Sequence, residues 1–300
     1  MEAVTLRAGD AEARLLAYGA RLASLVLAGM PVVLAYPDDA ANRNDDTWLG
    51  AALGRTSGRI ADARLVVGAA THALDANEGG DHLHGGASGF GHTDWTIRQE
   101  SENAATLRLT SPDGDQGYPG GLEAVCRVVL GEDSVVLGYE ARADALTPVS
   151  LTHHPYFRLG ADISAHRMTV NADAYLPLTP NGLPTGEVRS VAGTPLDFRG
   201  GAALGEVLDA LERPLDHCLV CEDGSDLDLR LEGPAGAVRL TADQPCLQVY
   251  GAGKMGAPFW PGAGLALEPQ AYPDAERCGF PSRLVAPGET WRRTTVIARV

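Results

Sequence analysis

Ten short runs of strand character recur along the chain: ARLLAYG, DWTIRQE, ATLRLTS, AVCRVVL, SVVLGYEARA, HRMTVNA, LDLRLEG, AVRLTAD, CLQVYGA and TWRRTTVIARV. Gly, Asp, Asn and Pro fill the gaps between them, which is the pattern of strands joined by turns in an all-β protein. Two hairpins are plain, turning at Gly131–Ser134 and at Gly233–Gly236, each flanked by Val- and Leu-rich runs. One convincing helix is expected, short and peripheral, in GAALGEVLDALER, where Leu204, Val207, Leu208 and Leu211 share a face. At 300 residues and 45% hydrophobic content the chain can bury one large core or two smaller ones. It has no long linker, repeat or low-complexity tract, so we read one domain over residues 1–300. A sheet system of this size closes most simply as a large antiparallel β-sandwich with few short helices, its concave face or rim loops carrying the site.

The formal net charge of −15 argues against nucleic acid and against anionic membrane surfaces as partners, and favours a neutral or cationic small ligand. The most membrane-like run, Ser24 to Tyr36, is too short to span and contains Gly29 and Pro31, so it reads as a buried strand pair. The N-terminus lacks the basic start and apolar stretch of a secretory signal, and a cytoplasmic location is the default expectation. Five cysteines at 126, 218, 221, 246 and 278 do not suggest a disulfide framework and are expected to be mostly buried thiols. The C-x-x-C of Cys218 and Cys221 has no second copy and no strand-to-helix turn around it, so neither zinc nor redox chemistry is expected there.

Polar residues suited to chemistry lie in turn-rich stretches. In SLTHHPYFRL, His153 and His154 are neighbours on a strand and cannot both serve one pocket from regular β geometry; one is expected to face a site and the other packing or solvent. In NEGGDHLHGGASGF, His82 and His84 have the spacing that places two side chains on one face of a strand, which could suit a metal. No third ligand is evident, however, and Gly85-Gly86 more naturally lets backbone approach a ligand closely. SPDGDQGYPGGLE reads as a long surface loop. In GLALEPQAYPDAER, Glu268 emerges from an apolar run, and partial desolvation would raise its proton affinity into the range of a general base. With a histidine from the first stretch it supplies an acid and a base of differing proton affinity.

These segments, with GAALGRTSGRIADARL, AYLPLTPNGLPTGEVRSVAGTPLDFR, LDHCLV, LQVYG and FPSRLVAPGETW, occur in the order found in the aldose 1-epimerases, or galactose mutarotases, which the chain resembles from about residue 50 to 290. The resemblance implies a β-sandwich with an open sugar cleft and cofactor-free, metal-free exchange of the α and β anomers of a free aldose. It places the catalytic histidine at His154, the catalytic glutamate at Glu268, a second active-site histidine at His84, and sugar-binding groups at Arg59, Asp216 and Gln248. Tyr156 or Trp260 would offer an aromatic face, packing being the simpler role for Trp260. The chain departs from the family at His153, where asparagine is usual, and at Gly58, Pro155 and the VYGAG segment, which bears on sugar preference. Alternatives are a hexose-6-phosphate 1-epimerase, which would want a cationic pocket, a non-catalytic sugar-binding protein, and a glycosidase pairing Glu268 with Asp216. The expected partner is a small sugar, and the expected assembly a monomer or homodimer.

Overall fold

A computed structural model describes residues 1–221, 225–281 and 283–300. The alternation seen in the sequence becomes alternation of burial. In Leu122–Leu130 and its hairpin partner Ser134–Ala143, every second side chain enters the core, and the two strands pair from Leu122 against Ala143 to Leu130 against Val135. The second expected hairpin joins Leu227–Gly233 to Gly236–Ala242.

These four strands belong to a nine-stranded sheet ordered Thr96–Ser101, Ala104–Ser111, Leu122–Leu130, Ser134–Ala143, Thr290–Arg299, Gly236–Ala242, Leu227–Gly233, Arg167–Val170 and Ala202–Ala203. A six-stranded sheet runs Tyr156–Phe157, Leu265–Gln270, Cys246–Tyr250, Asp216–Cys221, Ala172–Tyr175 and Arg189–Ser190. A four-stranded sheet holds the first strands, including Arg21–Leu27 and Met30–Pro31, the strand pair read from Ser24–Tyr36. The neighbouring strands of these three sheets are antiparallel. One continuous apolar core takes Leu15 and Leu25 from the four-stranded sheet, Leu107, Leu137 and Leu229 from the nine-stranded sheet, and Leu219, Leu247 and Leu267 from the six-stranded sheet. The architecture is an all-β antiparallel sandwich.

The expected helix is present and, as expected, short, Leu204–Ala210, with Leu204 and Val207 buried and Leu208 and Leu211 half-buried against the main core. A one-turn helix, Ala275–Cys278, was not expected. No helix among the described residues is long and apolar enough to cross a membrane. All five cysteines are free, and all but Cys278 are buried.

Candidate active site

The strand Leu265–Gln270 is buried along its whole length because both of its faces are covered. Leu265 and Leu267 enter the main core, so Ala266, Glu268 and Gln270 turn to the other side. Across the ladder, Gln248 stands directly opposite Glu268, and Cys218 opposite Gln248. One step along, Asp216 faces Tyr250, and its carboxylate Oδ1 accepts a hydrogen bond from Gln248 Nε2 at 2.5 Å, a diagonal cross-strand contact. Arg59, on a separate two-stranded ribbon with His82–Leu83, brings Nη1 to 3.6 Å from Asp216 Oδ2.

His153 and His154 divide as expected. His153 Nε2 lies 2.9 Å from the Ala20 carbonyl and Nδ1 2.9 Å from the Tyr139 hydroxyl, so both ring nitrogens are used within the core. His154 follows the strand Thr152–His153; its N–H donates to the Ala51 carbonyl and its carbonyl accepts from Gly50 N–H. That anchorage sets its ring Nε2 at 3.3 Å from Glu268 Oε1, with both side chains almost wholly buried. The Tyr156 ring lies 4.8 Å from the His154 ring and donates its hydroxyl to the Thr47 carbonyl.

The expectation that His82 and His84 share a strand face is not met. The strand ends at Leu83, and His84 has φ of 52°, which turns it away from the register of His82. His82 contacts the Tyr118 hydroxyl and the Asp75 carbonyl, each at 2.7 Å, and acts as a brace for the SPDGDQGYPGG loop. That loop is also gripped by the buried Arg55, which donates to the carbonyls of Ser111, Pro112, Pro119 and Gly120. His84 instead meets the His154 ring edge-on at 5.6 Å and accepts the Gly58 N–H on Nδ1 at 3.3 Å. The neutral His84 ring therefore carries its proton on Nε2 and acts as a donor there.

Arg59, His84, His154, Tyr156, Asp216, Gln248 and Glu268 all line one cavity of about 190 Å³. Trp260 does not: it is 43% exposed, with Arg158 over its ring and Nε1 bonded to Asp162. Trp48, Glu78, Tyr250 and Lys254 line the cavity without having been expected there. Trp48 packs on His84 at 4.9 Å, and its Nε1 is buried with no partner. Its loop is held by the fully buried Arg21–Asp45 pair, in which Asp45 also accepts from Thr47 and Leu49 N–H groups. Glu78 grips Arg59 with two hydrogen bonds, at 2.6 and 3.1 Å. A lone Trp and a lone Glu among turn residues carry no signal in sequence; the partners that make them informative, His84 and Arg59, are brought in only by folding.

Burial sets the proton affinities. It pushes Glu268 well above the usual carboxylate range, with the Asp216 charge adding to the rise and Arg59 opposing it. Burial pushes His154 down to about 4 and His84 well below its ordinary value, the latter helped by His154 and Arg59. Removed from water at 3.3 Å, His154 and Glu268 favour a state that holds one proton between them. Such a pair can take a proton from one oxygen and give one to another. Glu268 Oε2 and His154 Nδ1 have no hydrogen-bond partner in the protein. Among the described residues, His84, His154 and Glu268 are the one set of three metal-capable side chains, their donor atoms within 4.8 Å. For His84 to ligate through Nε2, however, its proton would have to move to Nδ1, against the Gly58 N–H.

The aldose 1-epimerase family model matches residues 2–298. The chain is 34% identical over 282 residues to galactose mutarotase of Bos taurus, covering 88% of this chain and 82% of that one. It is 31% identical over 284 residues to aldose 1-epimerase of Escherichia coli K12, covering 87% and 80%. Among solved structures it matches galactose 1-epimerase of Lactobacillus acidophilus with a TM-score of 0.91 at 28% identity, over 99% of this chain and 94% of that one. An aldose epimerase homologue from C. elegans shares the fold, with a TM-score of 0.93 at 23% identity over 100% and 98%. With the family model matched over residues 2–298 and a curated relative 34% identical along most of both chains, the chain belongs to the aldose 1-epimerase family.

Proposed function

We propose that the protein interconverts the α and β anomers of a free aldohexose such as galactose or glucose by opening and reclosing the sugar ring. The observation that carries this reading is the His154–Glu268 pair, 3.3 Å apart and buried at the cavity floor. Burying two ionisable groups side by side costs stability, and a protein that only bound sugar would gain nothing from it.

In the proposed reaction Glu268 takes the proton from the C1 hydroxyl while protonated His154 delivers one to the ring oxygen. The C1–O5 bond breaks and C1=O1 forms. Rotation about C1–C2 presents the other face of the aldehyde, and the two groups return their protons as the ring closes. In its reactive form the pair is carboxylate and imidazolium and passes to carboxylic acid and imidazole, so it holds one proton throughout and needs no cofactor to be reset. Burial disfavours the charged form of both groups, which lowers the cost of the transfer to the neutral state. His84 Nε2–H would donate to the ring oxygen, while Arg59, Asp216 and Gln248 hold hydroxyls and the Tyr156 ring offers an apolar face.

Asp216 is engaged by Gln248 and Arg59, which suits hydroxyl recognition better than the free second carboxylate of a glycosidase. A free-sugar substrate also accords with the cytoplasmic setting expected from the sequence. Polarimetry on freshly dissolved α-galactose and α-glucose tests the reading: catalysed decay of rotation is expected, and a rate equal to the uncatalysed one refutes it.

A further inference from the structure

The cavity holds few cations. Its charged lining residues are Asp46, Glu78, Asp216 and Glu268 on one side of the balance, and Arg59 and Lys254 on the other. Lys254 is 83% exposed and 3.8 Å from Glu78, so Arg59, 19% exposed, is the cation that a bound sugar would meet. Yet Arg59 is already committed. Its Nε and Nη2 both donate to the Glu78 carboxylate, and Nη1 points toward Asp216. A guanidinium so engaged presents a fixed edge for hydroxyls and little unpaired charge. With one proton shared between His154 and Glu268, that pair adds no net charge, and Glu78 and Asp216 outweigh Arg59 by one negative unit. Glu268, whose Oε2 is buried without a partner, lines the cavity and offers a further acceptor and no donor while ionised. The −15 charge of the whole chain acts in the same direction at longer range.

Building on the epimerase reading, we propose that Glu78 is a specificity-determining residue which, by neutralising Arg59, restricts the site to aldoses that are uncharged or cationic. Galactose and its protonated 2-amino-2-deoxy analogue are accepted; aldoses bearing a carboxylate or a phosphate are turned away. Glu78 acts on the sugar through Arg59 and through the cavity potential, and is a positioning residue. Rejection rests on a repulsive element as much as on attractive contacts.

The test is polarimetry at fixed ionic strength with α-galactose, α-galactosamine hydrochloride and α-galacturonate, uncatalysed rates subtracted. For the wild-type protein kcat/KM for galacturonate is expected at least about tenfold below that for galactose, with galactosamine equal to galactose or above it. Raising the salt concentration narrows the galacturonate gap, which a purely steric exclusion would not do. In Glu78→Gln the galacturonate-to-galactose ratio rises about tenfold and the galactosamine-to-galactose ratio falls. These ratios are internal to each preparation, so partial loss of folded Glu78→Gln leaves them readable, and the wild-type salt series needs no variant. Equal wild-type rates for galactose and galacturonate, or a galacturonate ratio unmoved by both salt and Glu78→Gln, overturns the proposal while leaving the epimerase reading intact. Failure of every sugar, galactose included, removes both.

Discussion

His153 and His154 are adjacent in the chain, yet the first is hydrogen-bonded to Tyr139 and the Ala20 carbonyl inside the core while the second stands 3.3 Å from Glu268 at the cavity floor. One peptide unit thus joins the packing of the sandwich to its acid–base pair. Displacing His153 would move His154, so the ordering of the core is also the ordering of the site.

Glu268→Gln keeps the size and hydrogen bonding of the side chain and removes the group that accepts the C1 proton. General base catalysis contributes roughly 10²- to 10⁴-fold, so turnover should fall by about that factor with sugar affinity little changed. The melting temperature should hold or rise, because a neutral amide replaces a buried carboxyl. Polarimetry, calorimetric sugar binding and thermal melting on one preparation check this; an early-melting variant with normal turnover per folded molecule would assign Glu268 a structural role.

Asp216→Ala should act mainly on apparent affinity. A hydroxyl contact is made in both ground and transition states, and a hydrogen bond to a charged group contributes about 1.5–3 kcal/mol, so KM should rise about ten- to a hundredfold with kcat within a few-fold of wild type. Lost turnover at unchanged KM would favour the glycosidase-like assignment.

Trp48 is the Trp of the cavity, packed on His84 with an unpartnered indole N–H. Sugar titration should change the intrinsic fluorescence of the wild type, and Trp48→Phe should abolish the change and weaken binding by about 1 kcal/mol, the net contribution of one hydrogen bond. A response that persists in Trp48→Phe places the reporter elsewhere.

Stability should fall in mild acid. Burial holds His153 at about 4 in the folded protein, against 6.5 ordinarily. Between these values the unfolded chain binds a proton at this ring that the folded chain refuses. The stability tied to His153 is therefore full above about pH 6.5 and declines as the pH falls toward 4, by up to about 3 kcal/mol. The His154–Glu268 pair adds little slope there, because folded it keeps one proton and unfolded His154 takes one up. Denaturant midpoints across this range check it; His153→Gln should show a shallower slope, and a flat wild-type profile would contradict the burial of the His153 ring.

Chelator treatment should leave turnover unchanged. The Gly58 N–H holds His84 in the tautomer whose Nε2 is a donor, which opposes metal binding by His84, His154 and Glu268. Activity lost to chelator and restored by zinc would reverse this reading.

The all-β class, both hairpins and the buried pair near residue 30 were legible in sequence because period-two burial is a local property: each strand declares which side chains it hides before any partner is known. Glu268 and one histidine of the His153–His154 pair were legible from their own contexts as a base and an acid, whereas Arg59, Asp216 and Gln248 and the choice of His154 over His153 came only through likeness to a family. Local reasoning failed where backbone geometry broke the period. At His84 a positive φ undid the shared face with His82, and no spacing rule reports a left-handed residue in advance. Trp48 and Glu78 were invisible for a different reason. Their meaning lies in contacts with His84 and Arg59, made across loops whose path depends on the buried Arg21–Asp45 pair and on the Arg59–Leu83 pairing. Hydrophobic patterning along a few residues settles which segments become strands and which faces they bury, before any long-range contact forms. Tertiary structure alone decided which polar groups share a cavity and what their proton affinities become, because desolvation and Coulomb interaction depend on distances through space that neighbouring residues do not set.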